Sequence, residues 1–253
     1  MENNSNKIEN EFGKFFYTEQ YMKLKNYLFN YRFRKTMIKT AFNEYLAFYK
    51  LKDKSLLVDI GSGISPITPY PSKTLFLELE RKAVDFLNSK GLNAKKGDIT
   101  KLPLKNNSVD IIFCSEVLEH VPNYKKALSE CSRVLKKSGA LILTVPTHMH
   151  YWKEDDDFVG HIRRFNPNTL HNDIKKIGFN IQSSKPIGSR IERFLTSLTV
   201  KLARKTKNKI SSNPLSNYIF YLINTIMLYI VYLGYLLNNK RNSSIILISA
   251  VKD

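Results

Sequence analysis

The stretch "VDIGSGISPITPYPSKTLFLELE", Val58 to Glu80, decides the fold. An apolar strand runs into Asp59, turns through Gly61 and Gly63, and is followed by a second apolar strand ending in Glu78. In an open α/β sheet, ligands bind at the carboxyl ends of the strands near the switch in strand order, and a glycine turn followed by an acid marks such a place. A dinucleotide site would carry G-x-G-x-x-G, whose third glycine lets helix and strand pack closely beside a pyrophosphate. Here Pro66 stands at that position, with Ser65 before it. Pro66, Pro69 and Pro71 also leave the usual first helix short or irregular. The loop therefore suits a cofactor with ribose and adenine but no pyrophosphate.

Outward from this stretch, strand-like runs at 55–61, 74–80, 93–99, 109–116, 139–146, 179–186 and 243–251 alternate with helical stretches at 81–89, 123–137 and 167–177. Asn166 followed by Pro167 is a cap and first-turn signal for the last of these. Alternation of this kind predicts a parallel sheet with helices on both faces. Upstream, residues 12–50 read as one or two helices, with Phe33, Met37, Ile38, Ala41, Phe42, Tyr45, Leu46 and Tyr49 at helical spacing. The chain divides into a helical extension (1–54), a core (55–190), a basic and hydrophobic helical insertion (191–242) and a last core strand (243–253).

The net charge of +18 is uneven: 11 basic against 6 acidic residues in 1–54, 14 against 13 in 55–160, and 15 against 3 in 161–253. The core is nearly neutral, so the basic excess belongs to the additions and predicts an anionic partner surface, either membrane lipid or nucleic acid. Cys114 and Cys131 lie in apolar runs without CxxC spacing and read as core thiols of a reducing compartment. The opening "MENNSNKIEN" has no apolar h-region, so no signal peptide is expected.

The run "GDITKLPLKNNSVDIIFCSEVLEHVPNYKKALSECSRVLKKSGALILTVP", Gly97 to Pro146, contains L-P-L, S-V-D, E-V-L-E-H and R-V-L-K-K-S-G in order. It resembles the class I S-adenosylmethionine-dependent methyltransferases, in the branch with quinone-biosynthesis and glycan- and lipid-modifying enzymes. The resemblance covers 55–186 and 243–252. It implies a seven-stranded Rossmann-like sheet with helices on both faces, and S-adenosyl-L-methionine as cofactor. It further implies that Glu78, with Leu79 beside it, takes the ribose hydroxyls and that Asp98 and Ile99 take the adenine. Asp59, Gly61, Ser62 and Gly63 would hold the methionine portion, with Ser115 at the end of the fourth strand. The family usually has a third small residue in the first loop, where this chain has Ser65.

Methyl transfer is an in-line displacement, so positioning dominates and a dedicated base is optional. The loop "THMHYWKEDDDFVGHIRRF" faces the acceptor side in this fold, and His161 is the candidate catalytic residue. Arg163 and Arg164 either clamp an anionic acceptor or pair with Asp155–Asp157. His148, His150 and His161 with those acids match no zinc or calcium spacing, so no metal is expected and the acids read as a solvated loop. His120 reads as a stabiliser of the loop into the next helix.

Ile210 to Asn239 holds no charged residue, and Tyr218–Leu237 has roughly the ~30 Å reach of a bilayer core. A core strand follows, so a single crossing would leave that strand on the wrong side. Ile219, Ile223, Ile226, Ile230, Leu233 and Leu237 share one helical face, with Tyr218, Tyr221, Asn224, Thr225, Tyr229, Tyr232 and Tyr235 roughly opposite. With "LARKTKNK" and "NNKRN" as flanks, the segment suits the membrane interface, the alternative being a helix packed on the domain. The expectation is a methyltransferase of a small-molecule, lipid, lipid-linked or quinone-like acceptor, cytoplasmic and peripherally membrane-associated through 191–242. A homodimer is compatible with this reading. An RNA methyltransferase is the alternative, weakened by Ser115-Glu116-Val117-Leu118 where a base-methylating enzyme would carry an Asn-Pro-Pro-Tyr-like motif. A non-catalytic binding module that retains the fold is the third reading.

Overall fold

The computed structural model describes residues 25–205, 214–237 and 243–253. The elements in chain order are α1 (Phe29–Phe48), β1 (Leu57–Ile60), β2 (Thr74–Glu78), α2 (Arg81–Ser89), β3 (Asn93–Lys96), β4 (Val109–Ser115), α3 (Tyr124–Val134) and β5 (Leu135–Pro146). They continue with α4 (Glu154–Val159), α5 (Pro167–Lys176), β6 (Phe179–Pro186), α6 (Arg190–Lys205), α7 (Pro214–Leu236) and β7 (Ile245–Lys252). The strands form one sheet in the order β3-β2-β1-β4-β5-β7-β6. This is the seven-stranded Rossmann-like arrangement the resemblance implies, with its switch in strand order between β1 and β4. Residues 12–24, part of the expected N-terminal helices, lie outside the described residues.

Two expectations need correction. The sheet is mixed, because β7 runs antiparallel to both β5 and β6. The cause lies in the insertion, which leaves and rejoins the sheet at the same end: the Ile187 and Gly188 amides both donate to the Ile245 carbonyl, so the chain must run back. This close approach needs a glycine, since a Cβ on Gly188 would lie 2.5 Å from the Ile245 nitrogen. The second correction is to the helix read at 123–137, which stops at Val134. Leu135 is fully buried and pairs with Val109, and a register shift before Ile111 absorbs the polar turn that follows.

Each face of the sheet buries its own layer. On one, Ala127, Leu128 and Cys131 of α3 and Leu170 and Ile174 of α5 pack on Val58, Ile60, Ile112, Leu141 and Ile248. Cys114 and Cys131 are both buried free thiols, as expected. On the other, α1 lays Phe29, Phe33, Ile38, Ala41 and Phe42 against Ile111, Phe113, Ile142 and Leu247. The proline-rich segment after β1 forms only a 3-10 turn at Pro71–Lys73, and α1 reaches over it. Phe42 packs against Tyr70 and Phe113 at ring separations of 5.5 and 5.8 Å, and the Tyr31 hydroxyl donates to the Pro66 carbonyl at 2.6 Å.

The insertion is tied down by buried charge. Asp156 accepts from Nε and Nη2 of Arg164 at 2.9 and 3.1 Å and from Nη2 of Arg193 at 2.8 Å. Arg193, on α6, also pairs with Asp155 and donates to the Tyr151 carbonyl. Of the acids expected in a solvated loop, Asp155 and Asp156 are therefore buried in α4, because Arg164 and Arg193 come from separate elements to neutralise them, while Asp157 is exposed as expected. Above them α7 lies on α1 through Phe33 against Tyr232 and Tyr235 and through the Phe29 amide donating to Asn224. Replacing Arg193 by Ala should cost about 3–5 kcal/mol, since it leaves buried carboxylates with one partner fewer. Chemical denaturation of the purified variant measures that loss.

Candidate functional site

The carboxyl ends of β1 to β4 lie side by side, with Ile60 opposite Leu77 on one side and Cys114 on the other. The chain leaves β1 through Gly61 and Gly63, both at positive φ (71° and 61°). A Cβ on Gly61 would meet Val117 at 2.7 Å, so glycine is needed for conformation and for space. The turn is fastened from below: the Glu78 carboxylate accepts from the Gly63 amide at 2.8 Å and from the Ser62 hydroxyl at 3.1 Å. Glu78 is thus first a clamp on the loop, and a diol bound there must share its oxygens.

Asp59 is fully buried beneath the same loop and accepts from the Ile67 and Thr68 amides, both at 3.3 Å, so it shapes the loop. Its Oδ1 has no hydrogen-bond partner among the described residues. Burial pushes both acids up: Asp59 to about 7 against the pull of those amides and Lys35. Glu78 rises to about 8, from burial and then from the neighbouring Asp59, against its bonds to Gly63 and Ser62. Two buried acids beside an open glycine turn favour a cationic ligand.

Asp98 lies exposed past the end of β3, its Oδ1 accepting from the Thr100 amide and hydroxyl at 2.7 and 2.8 Å. Ile99 is buried and Leu79 exposed, two apolar side chains at the strand ends. Ser115 at the end of β4 bonds the Thr144 hydroxyl at 2.8 Å, facing β5. The fold therefore brings Asp59, Gly61, Ser62, Gly63, Glu78, Leu79, Asp98, Ile99 and Ser115 to one end of four adjacent strands.

The sequence reading missed a contribution from α1. Arg34 reaches Glu116 at 3.0 Å, and Glu116 also accepts from the Thr144 hydroxyl at 3.1 Å. Only the helical phase of "YRFRK", which turns Arg34 off the buried face of α1, could have signalled this.

The next loop brings the remaining candidate residues. Nδ1 of His161 lies 2.7 Å from Asp156 Oδ1 and its Nε2 3.6 Å from Glu119. Burial raises the Asp156 carboxyl, but hydrogen bonds from His161 and Arg164 outweigh it and hold the group down at about 2. Glu119 is fully buried and pushed well above the carboxylate range, by burial and then by Glu116. His120 reaches the Gly160 carbonyl at 3.1 Å, in keeping with a loop-stabilising role. Of the two arginines, Arg164 is committed to Asp156, while Arg163 donates to the Pro122 carbonyl and lies over the Tyr124 ring.

Residues 58–143 match a family model described as a methyltransferase domain. Among curated proteins, an uncharacterized protein of Methanocaldococcus jannaschii is 30% identical over 59% of this chain and 64% of its own length. The uncharacterized methyltransferase YcgJ of Bacillus subtilis is 30% identical over 51% of each chain. The chain thus spans about half to under two thirds of the length of these relatives. Phosphoethanolamine N-methyltransferase 2 of Haemonchus contortus, solved in complex with S-adenosyl-L-methionine, superposes with a TM-score of 0.55 at 17% identity, over 85% of this chain and 52% of that one. A SAM-dependent methyltransferase from Archaeoglobus fulgidus gives 0.54 at 19% identity, over 86% and 94%. Strand order, glycine turn, terminal acids and these likenesses converge: the chain has the class I S-adenosylmethionine-dependent methyltransferase fold, and its residues 58–143 are similar to the methyltransferase-domain family.

Proposed function

We propose that this protein is an S-adenosylmethionine-dependent methyltransferase acting on a lipid, lipid-linked or quinone-like acceptor at a membrane surface. The observation that carries the activity is the glycine turn clamped by Glu78 at the carboxyl ends of β1 to β4. The residues fit the cofactor: an orphaned buried Asp59 oxygen and the Glu78 carboxylate lie beside the turn, where a sulfonium and an ammonium need negative charge. When bound, S-adenosylmethionine supplies an activated methyl group. Glu78 would accept from the ribose hydroxyls, the backbone of Gly61–Gly63 would accommodate the methionine portion, and Asp98 would accept from the adenine amine, with Leu79 and Ile99 as apolar neighbours. Nε2 of His161, its ring oriented by Asp156, takes the proton of an acceptor that carries one.

The acceptor class rests on α7. It is long and apolar enough to cross a membrane, yet only 17% of its apolar window is buried. Ile219, Ile223, Ile226, Ile230, Leu233 and Leu237 are each at least 40% exposed, so the aliphatic face read from the sequence points to solvent, as do Tyr218 and Tyr229 of the opposite face, while Asn224, Val231 and Gly234 face the protein. Phe194 and Leu198 of α6 are exposed as well. A patch of this kind flanked by Lys201 suits the acyl boundary of an anionic bilayer. Of the other flanking cations, Arg204 and Lys205 have no described side chain, and Lys207, Lys209, Lys240 and Arg241 lie outside the described residues.

In calorimetry with S-adenosylhomocysteine, Glu78→Ala should lose about 10–100-fold in affinity, the worth of one or two charge-assisted hydrogen bonds, and Asp98→Ala about 10-fold. Unchanged affinity in both variants overturns the cofactor assignment. Because the free Glu78 carboxyl loses its proton only near pH 8 and the ribose needs the carboxylate, binding below that pH must expel a proton. Affinity should therefore rise with pH up to about 8 and then level off, and Glu78→Gln should flatten the profile.

Flotation with phosphatidylglycerol vesicles tests the surface. Replacing Ile223, Ile226 and Ile230 by Ser should release the protein at any salt, each isoleucine being worth about 1.5–3 kcal/mol on burial. Their exposure means that the variant keeps its melting temperature. A wild-type protein that stays in solution at low salt, with α7 protected from hydrogen exchange, rejects the membrane reading.

A further inference from the structure

Three Lewis bases meet at the end of β4. Glu119 and His120 sit on the turn after the strand and His161 on the loop after α4, with one ligating atom of each within 4.8 Å of the other two. Glu119 is fully buried, yet neither of its oxygens has a hydrogen-bond partner among the described residues. Such a group is costly unless something compensates it. The two imidazoles are prepared in the same way. Nδ1 of His161 faces the Asp156 carboxylate at 2.7 Å and Nδ1 of His120 faces the Gly160 carbonyl at 3.1 Å. Both partners accept, so each ring holds its proton on Nδ1 and its lone pair on Nε2. The 3.6 Å between His161 Nε2 and Glu119 Oε1 is too long for a hydrogen bond. It is close to the spacing of two ligands that share an ion at about 2.0–2.2 Å. A carboxylate behind a ligating imidazole, as Asp156 stands behind His161, is the usual outer partner of such a ligand.

We propose that Glu119, His120 and His161 bind one divalent transition-metal ion, zinc being favoured by a donor set of two imidazoles and a carboxylate. The ion supplies the positive charge that Glu119 lacks. Three protein ligands leave a position open on the side where His120 is exposed, for water or an oxygen of the acceptor. Metal binding stands independently of the methyltransferase reading, whereas the use of the ion to hold an acceptor oxygen rests on it. With the ion in place, Nε2 of His161 is a ligand and takes no proton. This departs from the metal-free site that sequence spacing led us to expect.

The test is titration of the metal-stripped full chain with zinc chloride by calorimetry, with the cobalt(II) ligand-field spectrum as a second readout. One ion per chain is expected, with Glu119→Gln and His120→Ala each weakening binding by roughly 100-fold, at or beyond the upper end for outer-shell partners. Zinc should raise the melting temperature of the native protein but not of Glu119→Gln. Without metal, Glu119→Gln should melt no lower than the native chain, because the carboxyl it replaces has no hydrogen-bond partner to lose among the described residues. Should that variant fail to fold, the exposed His120→Ala still decides. His148 and His150, whose rings lie 5.3 Å apart, serve as the control: their double replacement by Ala should leave the stoichiometry at one. Absence of zinc binding overturns the proposal, and so does binding that survives Glu119→Gln and His120→Ala but is lost with His148 and His150. S-adenosylhomocysteine titrated in parallel separates the two ideas. If it binds and zinc does not, only the metal site falls; if zinc binds and it does not, only the methyltransferase reading falls.

Discussion

Asp156 is the interaction on which the packing of α4, the loop after it and the insertion depends. Its carboxylate receives Arg164 from the strand-like return after α4, Arg193 from the first helix of the insertion, His161 from the intervening loop and the Lys153 amide from its own helix. Four pieces of chain are fixed by one buried charge. Its folded-state value lies below the ordinary 3.8, near 2, so the stabilisation is complete above about pH 4 and is lost as pH falls toward 2. Removing the acid would loosen the insertion, free the His161 ring, leave the buried Arg164 guanidinium with backbone carbonyls alone and leave Arg193 with Asp155 as its one carboxylate.

The cofactor side follows a related logic with opposite consequence. Asp156 is surrounded by donors and stays ionised, whereas Asp59 and Glu78 have too few and are pushed up by burial. One cluster is therefore neutralised by its own donors and the other only in part, by Lys35 near Asp59 and Lys25 near Glu78. The α1 helix joins the two, since Lys35 stands electrostatically near Asp59 while Arg34 pairs with Glu116 at the end of β4. The helical extension is part of the site's wall as well as a cover for the sheet.

Much of this was legible in the sequence, for identifiable reasons. Glu78 could be placed because the continuous apolar run Leu75–Leu77 ends at it, and strand ends are set by local pattern. The aliphatic face of α7 could be projected because helical phase is also local. What escaped depended on partners far along the chain. Asp155 and Asp156 read as solvated because the arginines that bury them lie in other elements. Glu119 and His120 lie within E-V-L-E-H but show no metal-ligand spacing with His161, because His161 comes from the loop after α4. The direction of β7 was hidden because nothing in "SSIILISAV" says at which end of the sheet the insertion returns.

That return has a consequence for how the molecule assembles. The strand β7 is made after the helical insertion, yet it sits inside the sheet, between β5 and β6. As the chain is synthesised, β5 keeps an unpaired edge and β6 has no neighbour until α6 and α7 have both emerged. During that interval an open strand edge and a long apolar helix are exposed together, the combination most prone to misassociation. A lipid surface that captures α7 early would shelter the helix and hold both ends of the gap near each other while β7 slots into place.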